Sequence, residues 1–199
     1  MPRPKSLTQS QVTDAALAVI DRDGLTALSM RAVAAELGMA TMSLYRYVTG
    51  RDELESLVAE RVLGSLDITP PPGEPWQEQV AALLVRLRAA VAAHPEALPL
   101  ILTHRHDSPG AWRWAEAVLT VLHSAGFTGR QRLVGLRGLV SYLMGALQTD
   151  RLGPPSGAAD AGEHPLLADI VRQAKDLSPD DEFRNGLDLL LRGLADHLA

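Results

Sequence analysis

The chain has 199 residues, 46% of them hydrophobic and 22% charged, with a formal net charge of −5. These values describe one large or two small globular domains, and they exclude a disordered tail or a uniformly basic nucleic-acid binder, so any such affinity must be local. The absence of cysteine excludes disulfides, Cys-ligated zinc and thiol chemistry and suits a reducing cytoplasm, the expected location.

Helical periodicity runs through the chain and strand signals are nearly absent, so an all-α fold is expected. Thr8-x-x-Gln11 is a capping box ahead of Val12, Ala15, Ala16, Val19 and Ile20, a helix that Gly24 stops. Ser29 caps a second, short helix through Leu37, ended by Gly38. A third is expected from about Ala40 to Tyr47, and a fourth from Arg51 with Leu54, Leu57, Val58 and Val62. Consecutive prolines in DITPPPGEP (67–75) break the pattern, which predicts one domain over residues 1–65 and another over 66–199.

Trp76, Val80, Leu83, Leu84, Leu87 and Val91 then form a long amphipathic helix. A short helix after His94-Pro95 carries Leu98, Ile101 and Leu102. Trp112, Ala115, Leu119 and Leu122 make the next stripe, closed near Gly126. Residues 133–147 are apolar nearly all round, so one side is expected in the core and another against a partner subunit. Residues 153–165 read as a flexible loop, and Ser178 caps a last helix with Phe183, Leu187, Leu190, Leu191, Leu194 and Leu198. Gly135, Gly138, Gly186 and Gly193 cost helix propensity, and close helix–helix approach is the expected compensation.

The informative stretch is 29–47, SMRAVAAELGMATMSLYRY: a short helix, a glycine turn and a second short helix. This is helix-turn-helix grammar, which a generic helical hairpin shares. Val33, Ala34, Leu37, Met39 and Leu44 are the expected small core, leaving Thr41, Met42, Ser43, Tyr45, Arg46 and Tyr47 to project. Hydroxyls and phenols suit phosphates, arginine a guanine edge or a phosphate, and methionine a thymine methyl. Taken singly, each tyrosine is equally a half-buried structural residue, and each arginine a solvated one. Charge supports the joint reading. Residues 29–51 carry Arg31, Arg46 and Arg51 against Glu36, net +2, whereas 66–199 carry a net −4. Arg3 and Lys5 add a basic arm.

No phosphate loop, dinucleotide fingerprint, serine-hydrolase elbow or zincin motif is present, so no catalytic residue and no cofactor is expected. No apolar run approaches the ~20 residues of a bilayer span, and the basic start lacks an apolar segment behind it; neither a membrane nor a secretory signal is expected. His104 and His106 flank Arg105 and read as surface residues, with no metal expected. Thr103, Trp112, Trp114, Tyr142, Met144 and Gln148 combine apolar surface with sparse polar groups, a composition shared by ligand pockets and ordinary cores.

Ala15-Ala16-Leu17, Gly24-Leu25, Leu28-Ser29-Met30-Arg31, Val33-Ala34, Leu37-Gly38-Met39, Ser43-Leu44-Tyr45, Tyr47-Val48, Arg51 and Leu54 together resemble the tetracycline-repressor (TetR) family of bacterial transcriptional regulators. The resemblance is specific over about residues 8–60. It extends more weakly beyond, where His123–Phe127 (HSAGF) is similar to a helix end of the tetracycline-repressor branch.

The likeness implies a three-helix DNA-binding head and a C-terminal helical domain for ligand binding and dimerisation. It implies that Arg31 reads a base, that Thr41, Met42 and Ser43 face bases or phosphates, and that Tyr45, Tyr47 and Arg51 meet phosphates. Arg46 departs from the tryptophan of the tetracycline repressor, so a different operator is implied. It also implies a cavity for a small apolar or amphipathic effector. His104 and His106 join the candidate lining because a histidine at a comparable helix end of that repressor helps bind a magnesium–drug chelate. The helices 129–151 and 179–198 are expected to pair with their two-fold mates, giving a homodimer that represses from a palindromic operator. The competing reading is a helical ligand-binding or protein-interaction module whose head no longer reads specific DNA.

Overall fold

The computed structural model describes residues 7–152, 164–196 and 198, which are helical with no strand among them. The helices are α1 (Gln9–Asp23), α2 (Met30–Glu36), α3 (Thr41–Leu44), α4 (Arg51–Leu63), α5 (Trp76–Ala92), α6 (Leu98–His104), α7 (Pro109–Ser124), α8 (Gly129–Leu152), α9 (Pro165–Gln173) and α10 (Pro179–Ala195). Single 3-10 turns follow α1, at Leu25–Ala27, and precede α6, at Pro95–Ala97. The expected loop 153–163 and the arm with Arg3 and Lys5 lie outside the described residues.

The chain forms two compact units: residues 1–68 with 89–116, and residues 69–88 with 117–199. In the first, α1 is fixed by the expected capping box, Thr8 accepting from the Gln11 amide while the Gln11 side chain accepts from the Thr8 amide. Such a cap is worth about 1 kcal/mol. Val12, Ala16, Val19 and Ile20 pack with Leu28, Val33, Leu44, Leu54 and Val58 in the core of this unit. Within it α4 lies against both α1 and α6. Gly110, at the start of α7, sits directly on the backbone of Leu63 and Gly64, where a methyl group would have no room.

In the second unit Val80, Leu83, Leu84 and Leu87 of α5 pack with Leu139, Leu143 and Leu147 of α8 and Phe183, Leu187 and Leu191 of α10. Arg88 is buried and answers two helices at once, donating to Asp150 of α8 and to Asp180 and the Pro179 carbonyl of α10, and lying over the Phe183 ring. Burial works to lower its pKa, but Asp180 and Asp150 outweigh that and hold it raised. HSAGF proves to be a helix-ending Schellman motif. Gly126 has φ 97°, the Phe127 amide reaches the Leu122 carbonyl, and the Phe127 ring meets Trp76 edge-on at 5.0 Å.

Three sequence expectations need correction. Helix α3 spans only Thr41–Leu44, because Ala40 offers no capping oxygen and the chain tightens into i→i+3 turns through Tyr47. The buried stripe of α7 is Trp114, Val118, Val121 and Leu122, not Trp112, Ala115 and Leu119; Trp112 is exposed and its indole N–H donates to the His106 carbonyl. Helix α9 was not anticipated, since Pro165 begins a helix rather than closing a loop. Of the helical glycines, Gly135 faces Leu122 and Leu194 and Gly186 abuts the Tyr142 ring, but Gly138 and Gly193 meet nothing within 4 Å.

Candidate nucleic-acid interface

The site is built on the α2–α3 turn. Ser29 accepts from the Ala32 amide and starts α2. At its other end the Gly38 amide reaches the Ala35 carbonyl and the Met39 amide the Ala34 carbonyl, a Schellman closure that needs the positive φ of 64° at Gly38. The chain therefore reverses tightly into α3. Leu44 is wholly buried and seats α3 against Val33 and Ala34 in the core, with Val48 and Leu28 also buried. Leu37 and Met39, expected in that small core, are only half-buried.

With Leu44 turned inward, the rest of the segment turns outward. Met42 is 78% exposed and Tyr45 47%, Arg46 is exposed, and Thr41, Ser43 and Tyr47 are half-buried. Arg31 on α2 is exposed and has no hydrogen-bond or ion-pair partner among the described residues. The one acid of this stretch, Glu36, is neutralised by Arg22 at 2.9 Å. Bonds to Asp23 first and Glu36 second raise the Arg22 pKa. The projecting surface keeps its positive sign.

Residues that sequence reading did not single out hold this edge in place. The Gln9 side chain donates to the Tyr47 carbonyl at 3.2 Å, tying the start of α1 to the end of the recognition segment. Glu53 accepts from both the amide and the hydroxyl of Thr49, at 2.6 and 2.7 Å, which closes the turn into α4 and holds its carboxyl below the usual carboxylate range. Arg51 pairs with Glu55 at 2.6 Å, a surface i,i+4 contact worth about 0.3–0.5 kcal/mol, weak enough to exchange for a phosphate.

The candidate effector residues divide between the two units. In the first, Thr103, His106 and Trp112 are exposed, whereas Trp114 and His104 are buried. His104 is thus not the surface residue expected. Its Nδ1 lies 3.0 Å from the Ser56 hydroxyl on α4, a helix 48 residues earlier that no local motif could reveal. In the second unit Tyr142 and Met144 are half-buried and Gln148 is exposed. Tyr142 borders a 290 Å³ cavity with Ser141, Thr149, Glu182 and Phe183 and donates to the Phe183 carbonyl at 2.7 Å; burial and then Glu182 push its phenol up.

A family model described as "Bacterial regulatory proteins, tetR family" matches residues 12–55, and one described as "Tetracyclin repressor-like, C-terminal domain" matches residues 69–198. The chain belongs to the TetR family. Among relatives, the HTH-type transcriptional repressor DrrR1 of Streptomyces coeruleorubidus is 32% identical, over 97% of this chain and 78% of that protein. The class D tetracycline repressor of Escherichia coli is 26% identical over 94% of this chain and 88% of its own. Among solved structures, ActR of Streptomyces coelicolor in complex with (S)-DNPA is 28% identical with a TM-score of 0.82, covering 98% of this chain and all of that one.

TetR-family proteins are transcriptional regulators rather than enzymes, and they bind operator DNA as dimers and small-molecule effectors. This member is accordingly a ligand-responsive transcriptional regulator with a helix-turn-helix head. The reading as a module that has lost DNA recognition is not favoured. No helix among the described residues is long and apolar enough to cross a membrane.

Proposed function

We propose that the protein is a cytoplasmic, homodimeric repressor. Its 1–65 head binds a palindromic operator, and its 66–199 domain dimerises and holds an apolar or amphipathic effector that releases the DNA. The observation that carries this reading is the outward set on a buried anchor: Met42, Tyr45 and Arg46 project around Leu44, which is wholly buried. The Met42 thioether chain and the Tyr45 ring stand in water, and a base step and a phosphate would cover them. Thr41 and Ser43 at the first turn supply hydroxyls, and Tyr47, Arg31 and Arg51 flank the helix. In a two-fold dimer the recognition helices would lie ~34–36 Å apart, one turn of duplex.

Small-molecule control is supported by the likeness to ActR, whose structures hold (S)-DNPA and actinorhodin. Helix α4 is the proposed lever. It leaves the head, and within the same compact unit Glu60 accepts from Ser108 and the Gly110 amide at the start of α7. An effector acts by binding one setting of α4 better than another, and by no more than that difference. Thr103, His104, His106, Trp112 and Trp114 are the candidate contacts in the first unit, and Tyr142, Met144 and Gln148 those in the second, each set taken by itself.

The base-reading and phosphate roles separate experimentally. Arg31→Ala is expected to relax specificity at one position of each half-site, at a cost of about 1–3 kcal/mol. Arg51→Ala is expected to weaken all duplexes alike and to lower the salt slope by about 1. Equal effects of both changes on every sequence, measured by binding isotherms across salt, would overturn the assignment.

A further inference from the structure

We propose that Asp52, Glu55 and His104 form a divalent-cation site, suited to a first-row transition ion such as Zn²⁺, that ties the first turn of α4 to the end of α6. One ligand atom from each residue lies within 4.8 Å of the others, and among the described residues no other His, Asp and Glu side chains gather in this way. Asp52 and Glu55 are three apart on α4 and so share a face. Glu55 Oε2 and His104 Nε2 are 3.7 Å apart. Two ligands of one tetrahedral ion, each at ~2.0–2.1 Å, stand about 3.4 Å apart, so this pair needs almost no movement.

The surroundings prepare each ligand. His104 is buried, and its Nδ1 is 3.0 Å from the Ser56 hydroxyl. In the tautomer that donates from Nδ1, Nε2 turns its lone pair toward the carboxylates, the outer contact that orients a metal-binding imidazole. Arg51 occupies Glu55 Oε1 at 2.6 Å and leaves Oε2 for the ion. Asp52 is exposed, without a hydrogen-bond or ion-pair partner among the described residues, and can swing to complete the set. One imidazole and two carboxylates supply three ligands and leave a fourth position for water. All three ligands come from the unit that carries α3. An ion here offsets two negative charges beside Arg51.

The test uses the full chain, freed of metal with a chelator and without DNA, so that its outcome is independent of operator recognition. Zn²⁺ is titrated calorimetrically, and Co²⁺ is followed by its visible absorption. The expected result is one ion per chain, bound at least about tenfold more weakly by Asp52→Asn and by Glu55→Gln. At 100 times the dissociation constant, Zn²⁺ should raise the wild-type Tm by roughly 5–10 °C. Asp52 is exposed, so Asp52→Asn keeps the fold, which circular dichroism verifies. Absence of stoichiometric binding, or equal binding by wild type and a folded Asp52→Asn, would overturn the proposal and leave His104 and Glu55 as a direct side-chain contact alone.

Discussion

At the scale of single residues, the head is organised by small polar clamps around one buried leucine. Glu53 shows how such a clamp depends on pH. Its folded-state pKa is depressed by the Thr49 amide first and the Thr49 hydroxyl second. A depressed carboxyl stabilises the fold above its unfolded pKa, and that contribution is lost as pH falls through the folded value. Glu53→Gln should therefore lower Tm at pH 7, and the difference from wild type should shrink by pH 4. A deficit that persisted unchanged at pH 4 would assign the effect to packing rather than charge. The outward placement of Met42, Tyr45 and Arg46 was legible because Leu44 has to be inside, whereas the half-burial of Thr41, Ser43 and Tyr47 was not. Gln9 and Glu53 were not legible, because their partners, Tyr47 and Thr49, are defined by the folded path of the backbone and not by a spacing.

At the scale of elements, caps and helix-ending glycines were the dependable signals and helix phase the weaker one. Thr8, Ser29 and Ser178 each start the helix they were expected to start, since a side-chain oxygen three residues ahead of an amide is a purely local contact. The phase of α7 was misread because Trp112 and Trp114 compete for one stripe. In the fold Trp114 is buried, while Trp112 stays outside with its indole N–H on the His106 carbonyl. Helix α9 escaped because its apolar residues Leu166, Leu167 and Ile170 are exposed and bury almost nothing within this chain. The junction of α4 with α7 gives a prediction at this scale. A methyl at Gly110 would come within 2.6 Å of the Leu63 and Gly64 backbone. Gly110→Ala should cost about 1–3 kcal/mol in denaturant unfolding. Gly129→Ala, where nothing lies within 4 Å, should stay within roughly 0.5 kcal/mol of wild type. Similar behaviour of the two variants would contradict the packing described for that junction.

At the scale of the whole molecule, a single chain leaves apolar surface that water does not favour. Leu133 and Val134 on α8 and Leu189 on α10 are 54%, 57% and 71% exposed, and Gly138 and Gly193 on the same helices face open space. The apolar run 133–147 had to cover more than one side, and the core takes only Leu139, Leu143 and Leu147 together with Gly135. Pairing with a two-fold mate, as proposed, would cover the remainder. Val134→Glu with Leu189→Glu should convert the dimer to a folded monomer in sedimentation and abolish tight operator binding. A double variant that remained dimeric would place the interface elsewhere.

The central claim is that two such heads read one symmetric sequence. The most direct measurement is selection from a randomised duplex pool at roughly physiological salt, using protein shown to be folded and dimeric. The account predicts an enriched palindrome with half-site centres about 10–10.5 base pairs apart, or a multiple of that spacing. No enrichment, or a lone half-site without its symmetric mate, would contradict it.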